Sequence, residues 1–250
     1  MLAEITTEEL DAALDMVAVE ALEEAGVEGP PVDALAVAAA LRIAVAVDDA
    51  QRGRARYVRL RALRGVRSKP SILLRSDPRP ERRQWAVAHE IGEHVAWRVF
   101  ERLGVDPREV AGDARESVAN QLAGRLLLPA RWFEADAVAG GWDLLELKSR
   151  YATASHELIA RRMLEFSPPV IVTVFDHSRI SLRHSNLPGR VPPLSEAELD
   201  CWRRVHRRNH PWNVEAEGQI VTGWPIHEEE WQREILRTEI DIWADQQPTT

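Results

Sequence analysis

The chain has 250 residues, 45% of them hydrophobic, and a formal net charge of −8, enough for one substantial core and a smaller second unit. No run of like charge is long enough for a nucleic-acid-binding arm, and the longest apolar stretch, Ala34 to Val47, is interrupted by Arg42 and falls short of the ~20 residues that span a bilayer. Direct nucleic-acid binding and membrane insertion are therefore not expected. The single Cys201 has no internal disulfide partner, and the acidic start from Met1 to Leu10 is unlike a secretory signal, so a cytoplasmic location is expected.

Thr6 to Ala25 has helical spacing and ends at the Gly26 to Pro31 hinge. Val32 to Ala40 reads as a second helix and Leu41 to Val47 as a strand. Two more strands, Arg56 to Leu60 and Ser71 to Arg75, flank a basic turn. Asp77-Pro78 offers an N-cap followed by a first-turn proline, and Gly104 a C′ glycine, which predicts one long helix from Arg79 to Leu103. Helices follow over Asp113 to Leu128, where Pro129 is read as a stop, Trp142 to Arg150 and Ser155 to Leu164. After Ser167-Pro-Pro169, Val170 to Phe175 and Ile180 to His184 alternate as a hairpin. Beyond the Pro188 to Pro193 linker, Ser195 with Glu198 forms a capping box that opens another helix.

The long helix carries His89-Glu90-Ile91-Gly92-Glu93-His94. A zinc hydrolase needs imidazoles or carboxylates converging on one ion, and a carboxylate beside them to take a proton from water. In H-E-x-x-H the two histidines are four apart and share a helix face. Here there is one residue more. From His89, Glu93 is turned by about 40° and His94 by about 140° on a regular helix. Either His89 and Glu93 bind on an undistorted helix, or a π-type bulge, eased by Gly92, brings His94 to the metal. Imidazole suits zinc well, which favours His94. Glu116 on the following helix is a candidate third ligand, although Asp113-x-x-Glu116 also has the spacing of a capping box.

Glu116-Ser-Val-Ala-Asn120-Gln-Leu-Ala-Gly-Arg-Leu-Leu-Leu-Pro129 resembles the E-x-x-A-N-x-(F/L)-A…L-L-x-P helix that follows the zinc helix in the ImmA/IrrE family of metallopeptidases. Ser155 to Leu164 and the hairpin after it resemble the segment closing the peptidase unit, so the likeness runs from Val32 to Asn186. It implies a zincin-like fold, one Zn2+ per chain, Glu116 as a zinc ligand and Glu90 as the general base. A spacing of H-E-x-x-x-H is similar to that of dipeptidyl-peptidase-III-type zinc enzymes. The family's substrates are often helix-turn-helix repressors cleaved in a stress or mobile-element response, so the expected partner is a protein substrate of that kind.

The expected fold class is α+β: residues 1–30 as an N-terminal helix and hinge, 31–168 as an α-rich zincin-like domain with a small sheet, and 169–250 as hairpin, Pro-rich linker and a small C-terminal helical, Trp-rich region. Tyr151 or His156 could donate to an oxyanion. His206 and His210, four apart, with Cys201 five before His206, suggest a second metal group. Five tryptophans, Trp202, Trp212, Trp224, Trp231 and Trp243, fall in the last fifth of the chain. They either build a core poor in aliphatics or anchor a partner. Two functions compete: a zinc endopeptidase acting on a regulator, and a non-catalytic zincin-like module that senses or sequesters one. A toxin–antitoxin component with the same domain is a third.

Overall fold

The computed structural model describes residues 5–60, 69–166, 168–216 and 218–240. The fold is mixed α and β, as expected, and divides into two compact units: Met1–Gly141 with Glu146–Ser155, and Trp142–Leu145 with His156–Thr250.

In the first unit, α1 (Thr7–Glu24) starts at a capping box in which Thr6 and Glu9 satisfy each other's backbone N–H groups. A short α2 (Ala34–Ala40) is capped by Asp33. Strands β1 (Ala44–Val47), β2 (Ala55–Leu60) and β3 (Lys69–Leu74) form a sheet in the order β1-β3-β2. Central β3 is parallel to β1 and antiparallel to β2, and its fully buried Ile72 faces Val45 on one side and Tyr57 on the other. Most of the basic turn expected between β2 and β3 lies outside the described residues.

The long helix, α3 (Pro80–Arg102), begins two residues later than the Asp77-Pro78 signal suggests. Pro80 takes the first helical position, and Asp77 accepts the Arg79 N–H at 2.8 Å in the turn before it. Gly104, with φ 68°, terminates the helix as expected. Next come α4 (Gly112–Leu127), α5 (Ala130–Ala139) and α6 (Leu144–Arg150). Helix α5 is unanticipated: Pro129, read as a stop, is also the N-cap of this next helix, which buries Phe133 and Ala137.

Helices α1, α3 and α4 share one apolar core. Leu14 and Val17 meet Val95, Val99 and Phe100, with Val118 and Leu122 closing the third side. Arg98 pairs with Glu24 through both carboxylate oxygens, at 2.5 and 3.1 Å, along the exposed seam of α1 and α3. Such pairs contribute little against burial of the aliphatics beneath them. Helices α3 and α4 pack tightly at Gly92, where a Cβ would come within 2.6 Å of the Ala119 carbonyl oxygen.

The second unit holds α7 (His156–Met163) and a five-stranded antiparallel sheet in the order β5-β4-β8-β7-β6. Its strands are β4 (Val170–Asp176), β5 (Arg179–Ser185), β6 (Trp212–Ala216), β7 (Gln219–Glu228) and β8 (Trp231–Ile240). Helix α8 (Glu196–Arg208) starts at the expected Ser195/Glu198 capping box. Among the described residues, the region expected to be helical thus has one helix and three strands, and the hairpin β4–β5 joins them through the β4–β8 pairing.

Helix α8 lies on the sheet through Cys201 and Val205, which pack with Phe175, Val221 and Leu236. Gly223 lets it sit close, since a Cβ there would meet Leu236 and Val205 at 2.6 and 2.8 Å. The tryptophans contribute to packing: Trp224 is buried and donates to Asp143, Trp202 stacks on Phe175, and Arg208 covers Trp212. Trp243 lies outside the described residues.

Candidate metal centre

Helix α3 is unbroken from Pro80 to Arg102, so residues four apart share a face. His89 and Glu93 accordingly project together, with Glu93 Oε1 3.9 Å from His89 Nε2. On α4, Glu116 Oε1 lies 3.5 Å from the same nitrogen. One donor atom from each of His89, Glu93 and Glu116 lies within 4.8 Å of the others. The crossing at Gly92 makes this possible: His89 is one turn before Gly92 on α3, and Glu116 one turn before Ala119 on α4. Gly92 therefore serves close helix packing, where sequence reasoning gave it to a bulge.

Asn120 holds the group in register. Its Oδ1 lies 3.1 Å from His89 Nδ1, and its Nδ2 donates to Glu116 Oε1 at 3.2 Å. With Nδ1–H donated to the amide oxygen, His89 presents Nε2 to the two carboxylates. Asn120 stands within the Glu116-to-Pro129 segment, but the sequence alone assigns it no role. The available signal was its position four residues after Glu116, on the same face of α4. Glu116 itself makes no capping box: α4 is capped at Ala111 without a side-chain bond.

His94 is not brought to this group. It lies round the helix, where its Nδ1 meets the Tyr57 hydroxyl at 2.9 Å. Burial and the nearby Arg59 and Arg98 charges hold its pKa below the ordinary histidine range. A neutral His94 then accepts the Tyr57 O–H at Nδ1. Tyr57, on β2, is a second residue that sequence reasoning missed, because only the fold places it over α3.

Glu90 is only 6% exposed, in contrast to the exposed Glu93 and Glu116. Burial, helped by the Glu93 charge, pushes its carboxyl up to about 7 against the opposing pull of His89 and of the Tyr57 main-chain N–H. Tyr151, the possible oxyanion donor, is fully buried against Phe133 and gives its hydroxyl proton to Asp136 at 2.7 Å. That commitment, with burial, raises its pKa and leaves it nothing to donate. His156, the other candidate, is the first residue of α7 in the second unit.

Glu93 also lines a groove of about 310 Å³ with Ala96, Trp97, Phe100, Pro107 and Arg115. Trp97 is 48% exposed. One imidazole and two carboxylates suit a divalent cation such as zinc, and their two charges balance the ion's. The donor set is more anionic than two histidines and one glutamate.

Among the described residues no helix is long and apolar enough to cross a membrane. The model of the IrrE N-terminal-like domain matches residues 41–164. A Mycobacterium tuberculosis transcriptional regulator of known structure is similar in fold, with a TM-score of 0.63 at 19% identity over 90% of this chain and 75% of that one. No curated protein matches the chain. All four side chains, His89, Glu90, Glu93 and Glu116, lie inside the matched span, and over residues 41–164 the chain belongs to the IrrE N-terminal-like family, with its metallopeptidase-like fold.

Proposed function

We propose that the first unit is a zinc-dependent endopeptidase acting on a protein regulator, with His89, Glu93 and Glu116 as the metal-holding side chains and Glu90 as the general base. The observation that carries this reading is the convergence of His89 and Glu93 from the unbroken α3 with Glu116 from α4, beside the buried Glu90 carboxyl. Zinc, when bound, supplies the Lewis acidity that makes water a nucleophile near neutral pH and polarises a peptide carbonyl.

This chain's own residues do the rest. Asn120 fixes the His89 tautomer and the Glu116 rotamer, so the donors are set before binding. Glu90, with its pKa pushed to about 7, can take a proton from the attacking water and return it to the leaving amine near neutral pH. The groove beside Glu93 offers the half-exposed Trp97 to an apolar substrate side chain. Family resemblance makes a helix-turn-helix repressor the first substrate to try.

A non-catalytic sensing module is the second reading, favoured by one observation: Glu93 stands where a second imidazole would stand. Two carboxylates lower the pull of a cation on water. The experiment incubates the zinc-loaded chain with casein and with purified helix-turn-helix repressors, and reads new N-termini by mass spectrometry. Cleavage that disappears both with chelator and in Glu90→Gln supports the peptidase. A Glu90→Gln chain that cleaves as well as the wild type removes Glu90 from the chemistry, and no cleavage by the zinc-loaded wild type supports the sensing module.

A further inference from the structure

The second unit contains another group of ligand-type side chains, and it is not the one that sequence spacing suggested. His210 follows the end of α8, with its Nδ1 2.8 Å from the Pro211 carbonyl. Cys201 is buried in the apolar core, and burial pushes its thiol up to about 12. His206 instead meets side chains from two strands. Its Nδ1 lies 2.8 Å from Glu234 Oε1 on β8, and His227 Nε2 on β7 lies 2.6 Å from that same oxygen.

The fold dictates this meeting. Strands β7 and β8 pair His227 with Gln232 and Pro225 with Glu234, so His227 and Glu234 are diagonal neighbours on one face of the sheet. Helix α8 lies across the sheet, and its Trp202 and His206, one turn apart, both point at Glu234. The Trp202 indole N–H donates to Glu234 Oε2 at 3.1 Å. One carboxylate oxygen is thereby held by the indole while the other faces two imidazoles.

Charge supplies the second argument. The Glu234 side chain is 0% exposed, and among the described residues its ion-pair partners are His206 and His227, with no Arg or Lys among them. A carboxylate buried so deeply needs a compensating charge. Protonated imidazoles could provide it, and so could a divalent cation on three donors that lie within 4.8 Å of one another. Two histidines and a glutamate are an established zinc donor set. The 31% exposure of His206 leaves a solvent-facing side for a fourth ligand. Tetrahedral zinc with bonds of ~2.1 Å spaces its ligands by roughly 3.4 Å, so binding would draw the two imidazole nitrogens away from Glu234 Oε1, from 2.8 and 2.6 Å, by about 0.6 and about 0.8 Å.

We infer that the second unit binds one divalent transition-metal ion of the zinc class through His206 Nδ1, His227 Nε2 and Glu234 Oε1. The ion ties α8 to β7 and β8, and Trp202 orients the carboxylate from behind. This site is independent of the peptidase reading, and adds a second ion to the one expected for the first unit.

The test strips the full chain of metal, titrates it with Co2+ and separately with Zn2+, and reads ions per chain by mass spectrometry together with cobalt visible absorption. Wild type is compared with His206→Gln, His227→Gln and a Glu93→Gln/Glu116→Gln double variant. The inference expects each histidine variant to lose one ion per chain, or to bind it at least tenfold more weakly, while the double variant keeps that ion. Equal stoichiometry and affinity in wild type and both histidine variants would overturn it and assign the cluster to shared protons. If His227→Gln does not fold, His206→Gln, on the partly exposed side of α8, decides alone. A loss confined to the double variant would concern the first unit only and would likewise count against the second site.

Discussion

His89 Nδ1 and Asn120 Oδ1 lie 3.1 Å apart across the α3–α4 crossing, and this contact decides which imidazole nitrogen faces the two carboxylates. Asn120→Ala should therefore weaken zinc binding about 10- to 100-fold while the fold survives, because neither His89 nor Glu116 would then be held in place. Calorimetric titration of the stripped protein checks this. Wild-type affinity in a folded Asn120→Ala chain would remove Asn120 from the site.

Gly92→Ala sets two effects against each other. Helix propensity favours alanine by about 1 kcal/mol. The added Cβ, however, would lie 2.6 Å from the Ala119 carbonyl oxygen and 3.2 Å from Leu122 Cβ. A backbone atom cannot swing away as a side chain can, so overpacking by about 1–3 kcal/mol should win. The expected result is a lowered denaturation midpoint in urea, and weaker zinc binding as α4 is pushed from α3. An unchanged or raised midpoint would show that the helices can part without cost.

Glu90→Gln should change the pH dependence of stability in chelator. Burial lifts the folded-state pKa of Glu90 from 4.5 to about 7, so between those values the folded chain holds a proton that the unfolded chain releases. Stability from this group is complete below about 4.5 and is lost as pH rises towards 7. Glutamine does not ionise and escapes the loss. Thermal melts should show the variant gaining on the wild type from pH 5 to pH 8, and a constant difference would contradict a raised Glu90.

In the second unit, Arg183 holds buried Glu198 through two bonds of 2.9 Å, while Thr238 and the Ser195 N–H supply two more. Burial alone would raise the Glu198 pKa, but these donors bring it below the usual glutamate range. Arg183→Met leaves that carboxylate buried with its cation gone, and should cost about 3–5 kcal/mol. Chemical denaturation measures this, and a loss under ~1 kcal/mol would mean that solvent reaches Glu198.

Much of this was legible in local signals. Ser195 with Glu198, the alternation of Val170 to Phe175, and Gly104 after a long amphipathic run each encode their element within a few residues. The His89/Glu93 alternative also followed from helical period alone. What sequence could not give was tertiary. Strands β7 and β8 carry Gly223 and Pro225 and a charged run through Arg233, Glu234, Arg237 and Glu239, which read against strand. In the fold, Gly223 makes room for α8, Pro225 lies beyond the stretch β6 covers, and Arg233 pairs with Asp176. Asn120, Tyr57 and the His206–His227–Glu234 group likewise exist only once separate elements meet.

The most direct measurement is zinc affinity at the first unit in two single variants, Glu93→Ala and His94→Ala, made in a His206→Gln background so that the second unit contributes no ion. Glu93 faces Glu116 and His89, whereas His94 is engaged by Tyr57. Glu93→Ala should abolish zinc binding or weaken it by more than 100-fold, and His94→Ala should leave it within a few-fold of the parent. The reverse order would place His94 on the metal through a distorted helix, and contradict a site of His89, Glu93 and Glu116.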